Sequence, residues 1–189
     1  MSNDDDFLAW MRGPSSISIV ETVNFSAKHI HNFWNFRGVD STGAVVAIDP
    51  DGVKLVGIGS VEGPNFYQTI HVFDGNDGVT AFEANDIVPG VELWTSLESS
   101  IDGDIFFIAG SESREYNTGN AYLAALTFDE NADIITYSKY GNQHKFYTIN
   151  SLRRHPDGNV LFAGTQAHLV VVLWAEDEFH LIAKLANVV

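Results

Sequence analysis

His29 and His31 stand two residues apart, so on a strand both imidazoles share one face and could ligate a metal. A protein metal site needs at least three ligands, and the neighbouring segment offers no third. Two packing histidines are therefore the favoured reading. Asp74-Gly75-Asn76-Asp77-Gly78 opens like a calcium loop. It lacks the acidic fifth position, the sixth-position glycine and the closing glutamate of an EF-hand, and reads as a hairpin turn. Gly57 and Gly59 mimic a dinucleotide loop, but Gly63-Pro64-Asn65-Phe66 stands where the helix should follow. No Gly-x-Ser-x-Gly elbow is present, so no nucleophilic serine is marked. The chain has no cysteine, which excludes disulfides and thiolate-bound zinc. No residue is assigned a catalytic role, and no cofactor is expected.

The chain that positions these residues has 189 of them, enough for one well-packed domain or a piece of a larger one. Hydrophobic residues make up 45% and aromatics 12%, which separates it from disordered sequences. Its net charge of -15 argues against the basic surface that nucleic acids and anionic membranes require. The N-terminus is acidic, without an apolar run of signal-peptide length, and no stretch is long enough for a membrane span. A cytoplasmic protein is expected. Asn24-Phe25-Ser26 matches a glycosylation sequon, read as chance without a secretory signal.

In chain order, residues 1–16 read as a mobile acidic arm, within which Phe7, Leu8, Trp10 and Met11 could dock. Ile17 to Val23 is a strand. Phe25 to Gly38 is dense in aromatics and fits neither the helical nor the strand period, so it is taken as strand or irregular. From Ala44 onward, short β-branched and aromatic runs alternate with Asp, Gly, Pro and Glu, the marks of strands joined by hairpins. They fall into three sets of four, at about residues 44–84, 93–140 and 146–185.

Three landmarks recur in each set. Asp-Gly follows the first strand at Asp51-Gly52, Asp102-Gly103 and Asp157-Gly158, at offsets of 51 and 55 residues. Small residues close the second strand at Gly57-Ile58-Gly59-Ser60, Ala109-Gly110-Ser111 and Ala163-Gly164-Thr165. An aromatic ends the third at Phe73, Phe128 and Trp174. The physical roles are coherent. Asp-Gly suits the positive φ of a two-residue hairpin. Small residues let neighbouring sheets approach, and a large ring fills the space between them. The three rings are expected in equivalent buried places. Repetition at this period implies an array of supersecondary units, and four antiparallel strands per unit is the blade of a β-propeller.

The third set, with Ser151-Leu152, Pro156-Asp157-Gly158-Asn159, Ala163-Gly164-Thr165 and Val171-Val172-Leu173-Trp174, resembles a WD repeat. The first two sets resemble the same unit with Phe-Asp for Trp-Asp. No Gly-His pair precedes a first strand, and Ala175 follows Trp174, so the family's His–Ser/Thr–Trp network does not carry over. The expected fold is all-β, with about three four-stranded blades plus an N-terminal strand in residues 17–189. Propellers close with about 4–8 blades, so an incomplete ring is expected, completed by a second copy, by another chain, or by the rest of a larger propeller of which this chain is one piece.

Two functions follow from the resemblance. WD-type propellers are rigid non-enzymatic platforms for other proteins, and the acidic surface here favours a basic segment as partner. The alternative resembles the propeller hydrolases of the lactonase group, which bind a divalent metal over the central channel. Its weak candidates are the first-strand carboxylates Asp49 and Glu98, with Arg153 or His155 in the third copy. Two carboxylates beside a basic residue make a thin site, so the platform is preferred.

Overall fold

The computed structural model describes residues 7–11, 16–21, 26–32, 45–48, 55–61, 67–73, 79–83, 93–111, 121–128, 134–141, 149–165 and 168–186. All of the regular structure among them is strand. The first sheet holds β1 (Phe7–Met11), β2 (Ser16–Glu21) and β3 (Ser26–Asn32). The second holds β4 (Val45–Ile48), β5 (Leu55–Val61), β6 (Tyr67–Phe73) and β7 (Val79–Glu83). The third holds β8 (Leu93–Ser99), β9 (Ile105–Ser111), β10 (Ala121–Phe128) and β11 (Ile134–Gly141). The fourth holds β12 (Ile149–Arg154), β13 (Val160–Thr165), β14 (His168–Ala175) and β15 (Glu178–Ala186).

Every sheet is an antiparallel meander in which each strand pairs with the next in sequence. Short hairpins make that order cheap, because each pairing closes only a small loop. The sheets then stack by their first strands: β1 lies beside β4, β4 beside β8, and β8 beside β12. First strands gathered together, with later strands fanning outward, is the arrangement of propeller blades. The fold is all-β, with three four-stranded blades where the repeats place them.

The N-terminal part differs from expectation. Phe7–Met11, assigned to a mobile arm, is β1, paired with β2 from Phe7↔Glu21 to Met11↔Ile17. The aromatic segment supplies β3, whose His31 and His29 lie opposite Ile17 and Ile19. The N-terminus thus provides a three-stranded sheet rather than one spare strand. Five apolar residues behind three aspartates carry no periodic signal of their own; pairing with β2 is what makes them a strand.

The repeat holds at the level of register. Ile48↔Leu55, Ser99↔Phe106 and Arg154↔Leu161 are the pairs three residues before and four after each landmark aspartate. In the third and fourth sheets the turns between them are longer than the two residues expected. Ser100 N–H donates to Ile105 O at 2.7 Å and Gly103 N–H to Ser100 O at 3.3 Å. His155 N–H donates to Val160 O at 2.7 Å and Gly158 N–H to His155 O at 3.3 Å. Each is a four-residue loop built on one i→i+3 bond. Gly103 takes φ 80°, whereas Gly158 is not in the left-handed region. At Ser100 and His155 different side chains brace the same turn: the Ser100 hydroxyl donates to Asp102 Oδ1, and His155 Nδ1 accepts Asp157 N–H at 3.2 Å.

The two-residue hairpin lies elsewhere, in the acidic turn between β14 and β15. Ala175 pairs with Glu178 across Glu176 (φ 54°) and Asp177 (φ 59°). Both central residues being left-handed marks a type I′ turn, which matches strand twist but disfavours side chains with a Cβ. Asp177→Gly is expected to stabilise the chain by about 0.5–1 kcal/mol. A higher urea midpoint at unchanged slope would show this, and a lower midpoint would contradict it.

Candidate interaction site

Among the described residues, the third and fourth sheets meet in a packed joint. Its apolar part combines Phe107, Ala109, Leu123 and Ala125 from the third sheet with Leu152, Leu161, Ala163, Val170 and Val172 from the fourth, all buried. Alternation explains this: on β13 and β14 every second residue is buried and the intervening ones are half-exposed. Trp174 is buried against Phe107, ring centroids 5.8 Å apart, and against Phe179 at 4.6 Å, edge-on in both cases. Edge-on contact is the arrangement that ring quadrupoles favour.

Polar groups fix how the sheets seat. Ser96 Oγ accepts the buried Leu152 N–H at 3.0 Å. The Thr95 hydroxyl donates to Ile149 O, Arg154 Nε donates to Ser99 O at 2.8 Å, and Ile101 N–H donates to Asn159 Oδ1 at 3.3 Å. The first two bonds satisfy edge groups of β12, Leu152 N–H and Ile149 O, and the other two a β8 carbonyl and a turn N–H; a buried N–H left unmade costs about 1–3 kcal/mol. At the rim Arg153 Nη1 bonds Glu98 Oε1 at 2.8 Å. The Arg153 side chain is 75% exposed, so the pair aligns the sheets more than it stabilises them.

Glu98 therefore has a structural partner, and its expected neighbour Arg153 is the group that holds it. Asp49, Asp51 and Gly52 lie outside the described residues. So do the side chains of His29 and His31, which the register places two apart on β3. Among the described residues no group of three His, Cys, Asp or Glu could hold a metal ion. Asp102, Gly103, Asp157 and Gly158 form the braced turns described above. Trp174 and Phe128 are equivalent by register, each one residue past the pairs Val160↔Leu173 and Ile105↔Thr127. Phe73 is not. It faces Leu55, four residues after Asp51, where the later sheets have Leu126 and Val172. The connection between second and third strands differs in every set, so a third-strand landmark cannot be aligned by counting from the turn.

Ser96, Thr95 and Arg154 were not singled out by sequence reading. Their signal was available, since Ser96-Leu97 and Ser151-Leu152 repeat at the same 55-residue offset as the Asp-Gly turns. His168 Nδ1 is buried with no hydrogen-bond partner among the described residues. It is a lone imidazole without the further ligands a metal would need.

No family model matches this chain, and no curated protein is similar to it. Solved structures are similar in fold. A functionally unknown protein from Desulfotomaculum acetoxidans is 11% identical with a TM-score of 0.60, over 99% of this chain and 55% of that one. The Kuenenia stuttgartiensis hydrazine synthase is 10% identical with a TM-score of 0.60, over 99% of this chain and 61% of that one. The beta-propeller domain of Myceliophteria thermophila Cps50 (Swd1) is 14% identical with a TM-score of 0.47, over 100% of this chain and 70% of that one. The chain thus spans about three-fifths of the length of the first two.

Proposed function

We propose that this chain is a non-enzymatic interaction platform, made of degenerate WD-type blades, that binds a basic segment of another protein. The observation that carries the reading is a net charge of -15 on a stack of sheets whose joint is locked by buried rings and cross-sheet hydrogen bonds. A rigid scaffold presents its loops at little entropic cost, and a large single-sign charge draws an oppositely charged partner. The Glu98–Arg153 pair supports the same view, because it employs a candidate metal ligand in seating one blade on the next.

Titration with a Lys/Arg-rich peptide, set against an acidic peptide of equal length, tests the reading. Binding of the basic peptide alone, weakening as salt is raised, is expected, since screening is strong beyond about 8 Å at physiological ionic strength. Equal binding of both peptides, or of neither at low salt, would overturn it. So would a chelator-reversible rise of several degrees in melting temperature with calcium, which a native-state metal site produces by mass action.

A further inference from the structure

An Asp-Gly pair is prone to imide formation, because glycine has no side chain to shield its amide nitrogen or restrict the chain around it. Attack of that nitrogen on the aspartate's Cγ closes a five-membered ring, so the reaction needs only rotation into an attacking geometry. Among the described residues two such pairs lie in turns that are equivalent by register. Asp102-Gly103 joins β8 to β9, and Asp157-Gly158 joins β12 to β13. Both turns are closed by the same bond, from the glycine N–H to the carbonyl three residues earlier, at 3.3 Å. What differs is the hold on the aspartate's carboxyl group.

Asp102 is tied down. The Ser100 hydroxyl donates to its Oδ1, and Asp104 N–H reaches the same oxygen at 3.5 Å. Ser100 is itself buried, and its Oγ accepts Ile105 N–H at 3.0 Å, so the anchor is fixed in turn. Attack on Cγ would have to break the carboxylate's bonds, which are of the stronger, charge-assisted kind. Asp157 has no such tether. Its side chain is 89% exposed, and His155 Nδ1 stands 3.9 Å from its Oδ2, beyond hydrogen-bond reach. Gly158 lies outside the left-handed region, and nothing is found within 4 Å of the place a Cβ would take. Carboxyl group and amide are both free to meet.

We propose that Asp157-Gly158 is a site of spontaneous isomerisation, and that the change loosens the joint between the third and fourth sheets. Gly158 N attacks Asp157 Cγ, and the N–Cγ bond forms as a Cγ–O bond breaks. The carboxyl hydroxyl and the amide proton leave together as water. Water then adds back at either carbonyl of the imide. Addition at Cγ restores aspartate, whereas addition at the former main-chain carbonyl leaves isoaspartate, with the chain running through Cγ. No oxidant or cofactor takes part. The isomer lengthens the backbone by one methylene inside this turn. Asn159 comes next along it: its O accepts Trp174 N–H at 3.0 Å, and its Oδ1 accepts Ile101 N–H at 3.3 Å. Arg154 Nη1 likewise spans His155 O at 2.9 Å and Pro156 O at 3.3 Å. A lengthened turn loses its register with β14 and with the turn of the third sheet. The inference does not rest on the proposed function.

Prolonged incubation of the folded chain at mildly acidic pH, below its melting transition, tests the proposal. Peptide mapping by mass spectrometry, with fragmentation that distinguishes isoaspartate from aspartate, reads each site separately. Imide and isoaspartate are expected at Asp157 several-fold ahead of Asp102. In guanidinium the tethers on Asp102 are gone, and the two sites should react at similar rates. Gly158→Ala should suppress the reaction at Asp157 several-fold with an unchanged circular dichroism spectrum, because the added Cβ meets open space. The isomerised fraction, separated by chromatography, should unfold at a lower denaturant midpoint than the unmodified fraction. Equal rates at the two sites in the folded chain, or a faster reaction at Asp102, would overturn the assignment. So would an excess at Asp157 that persists in guanidinium, since sequence rather than fold would then set it. An isomerised fraction as stable as the unmodified one would overturn the loosening of the joint.

Discussion

Trp174→Ala is expected to lower unfolding stability by about 3–5 kcal/mol, the cost of truncating a large ring in a packed core. The indole is buried and touches rings from two sheets, Phe107 across the joint and Phe179 on its own sheet. Neither neighbour can follow an alanine inward, because Phe107 is pinned in the centre of its sheet between β8 and β10. The cavity therefore persists, and its lining loses contacts as well as burial. Against a typical domain stability of about 5–15 kcal/mol, that loss is a large fraction of the whole. Urea unfolding followed by circular dichroism, at one fixed protein concentration, reads it out. A midpoint like that of wild type would show that the joint does not hold the last blade in place. Trp174→Phe should recover most of the stability, since it keeps an aromatic edge in the same slot.

Phe107→Ala is expected to cost a similar amount, about 3–5 kcal/mol. Phe107 is fully buried and faces both Trp174 and Phe179, the latter at a centroid distance of 6.1 Å. Phe107 belongs to the third sheet, whereas Trp174 belongs to the fourth that packs on it. If the two rings hold the sheets together as one contact, the double variant should lose less than the sum of the single losses. The shortfall should be about 0.5–1.5 kcal/mol, the worth of an edge-on aromatic pair beyond its burial. Additive losses would mean that each ring serves only its own sheet. That result would weaken the blade-to-blade joint as the basis of the platform.

Phe162 makes the contrast concrete. It stands on the fourth sheet where Phe107 stands on the third, yet it is half-exposed. Chemistry and register agree at the two positions; only the covering blade differs.

The first-hairpin register of each blade was legible in the chain because Asp-Gly recurs at a fixed distance from the strands it joins. Local turn geometry sets that distance and no distant contact can change it. Strand number in the last three sheets was legible for the same reason, since hairpin meanders are local structures. The inner β1 was not, because five apolar residues after an acidic run become a strand only when β2 offers a ladder. Nor was the place of Phe73. The second-to-third connection varies in length, so its strand slides relative to any landmark counted along the chain. The site suffered the same limit more severely. Glu98 looked like a metal ligand in isolation, and its partner Arg153 lies 55 residues away in sequence. Such a pair is created by the stacking of two sheets, which depends on twist, on side-chain volume and on which face each strand turns inward. Local rules thus settle blades and turns from sequence alone, while the seating of one blade on another follows only from tertiary packing.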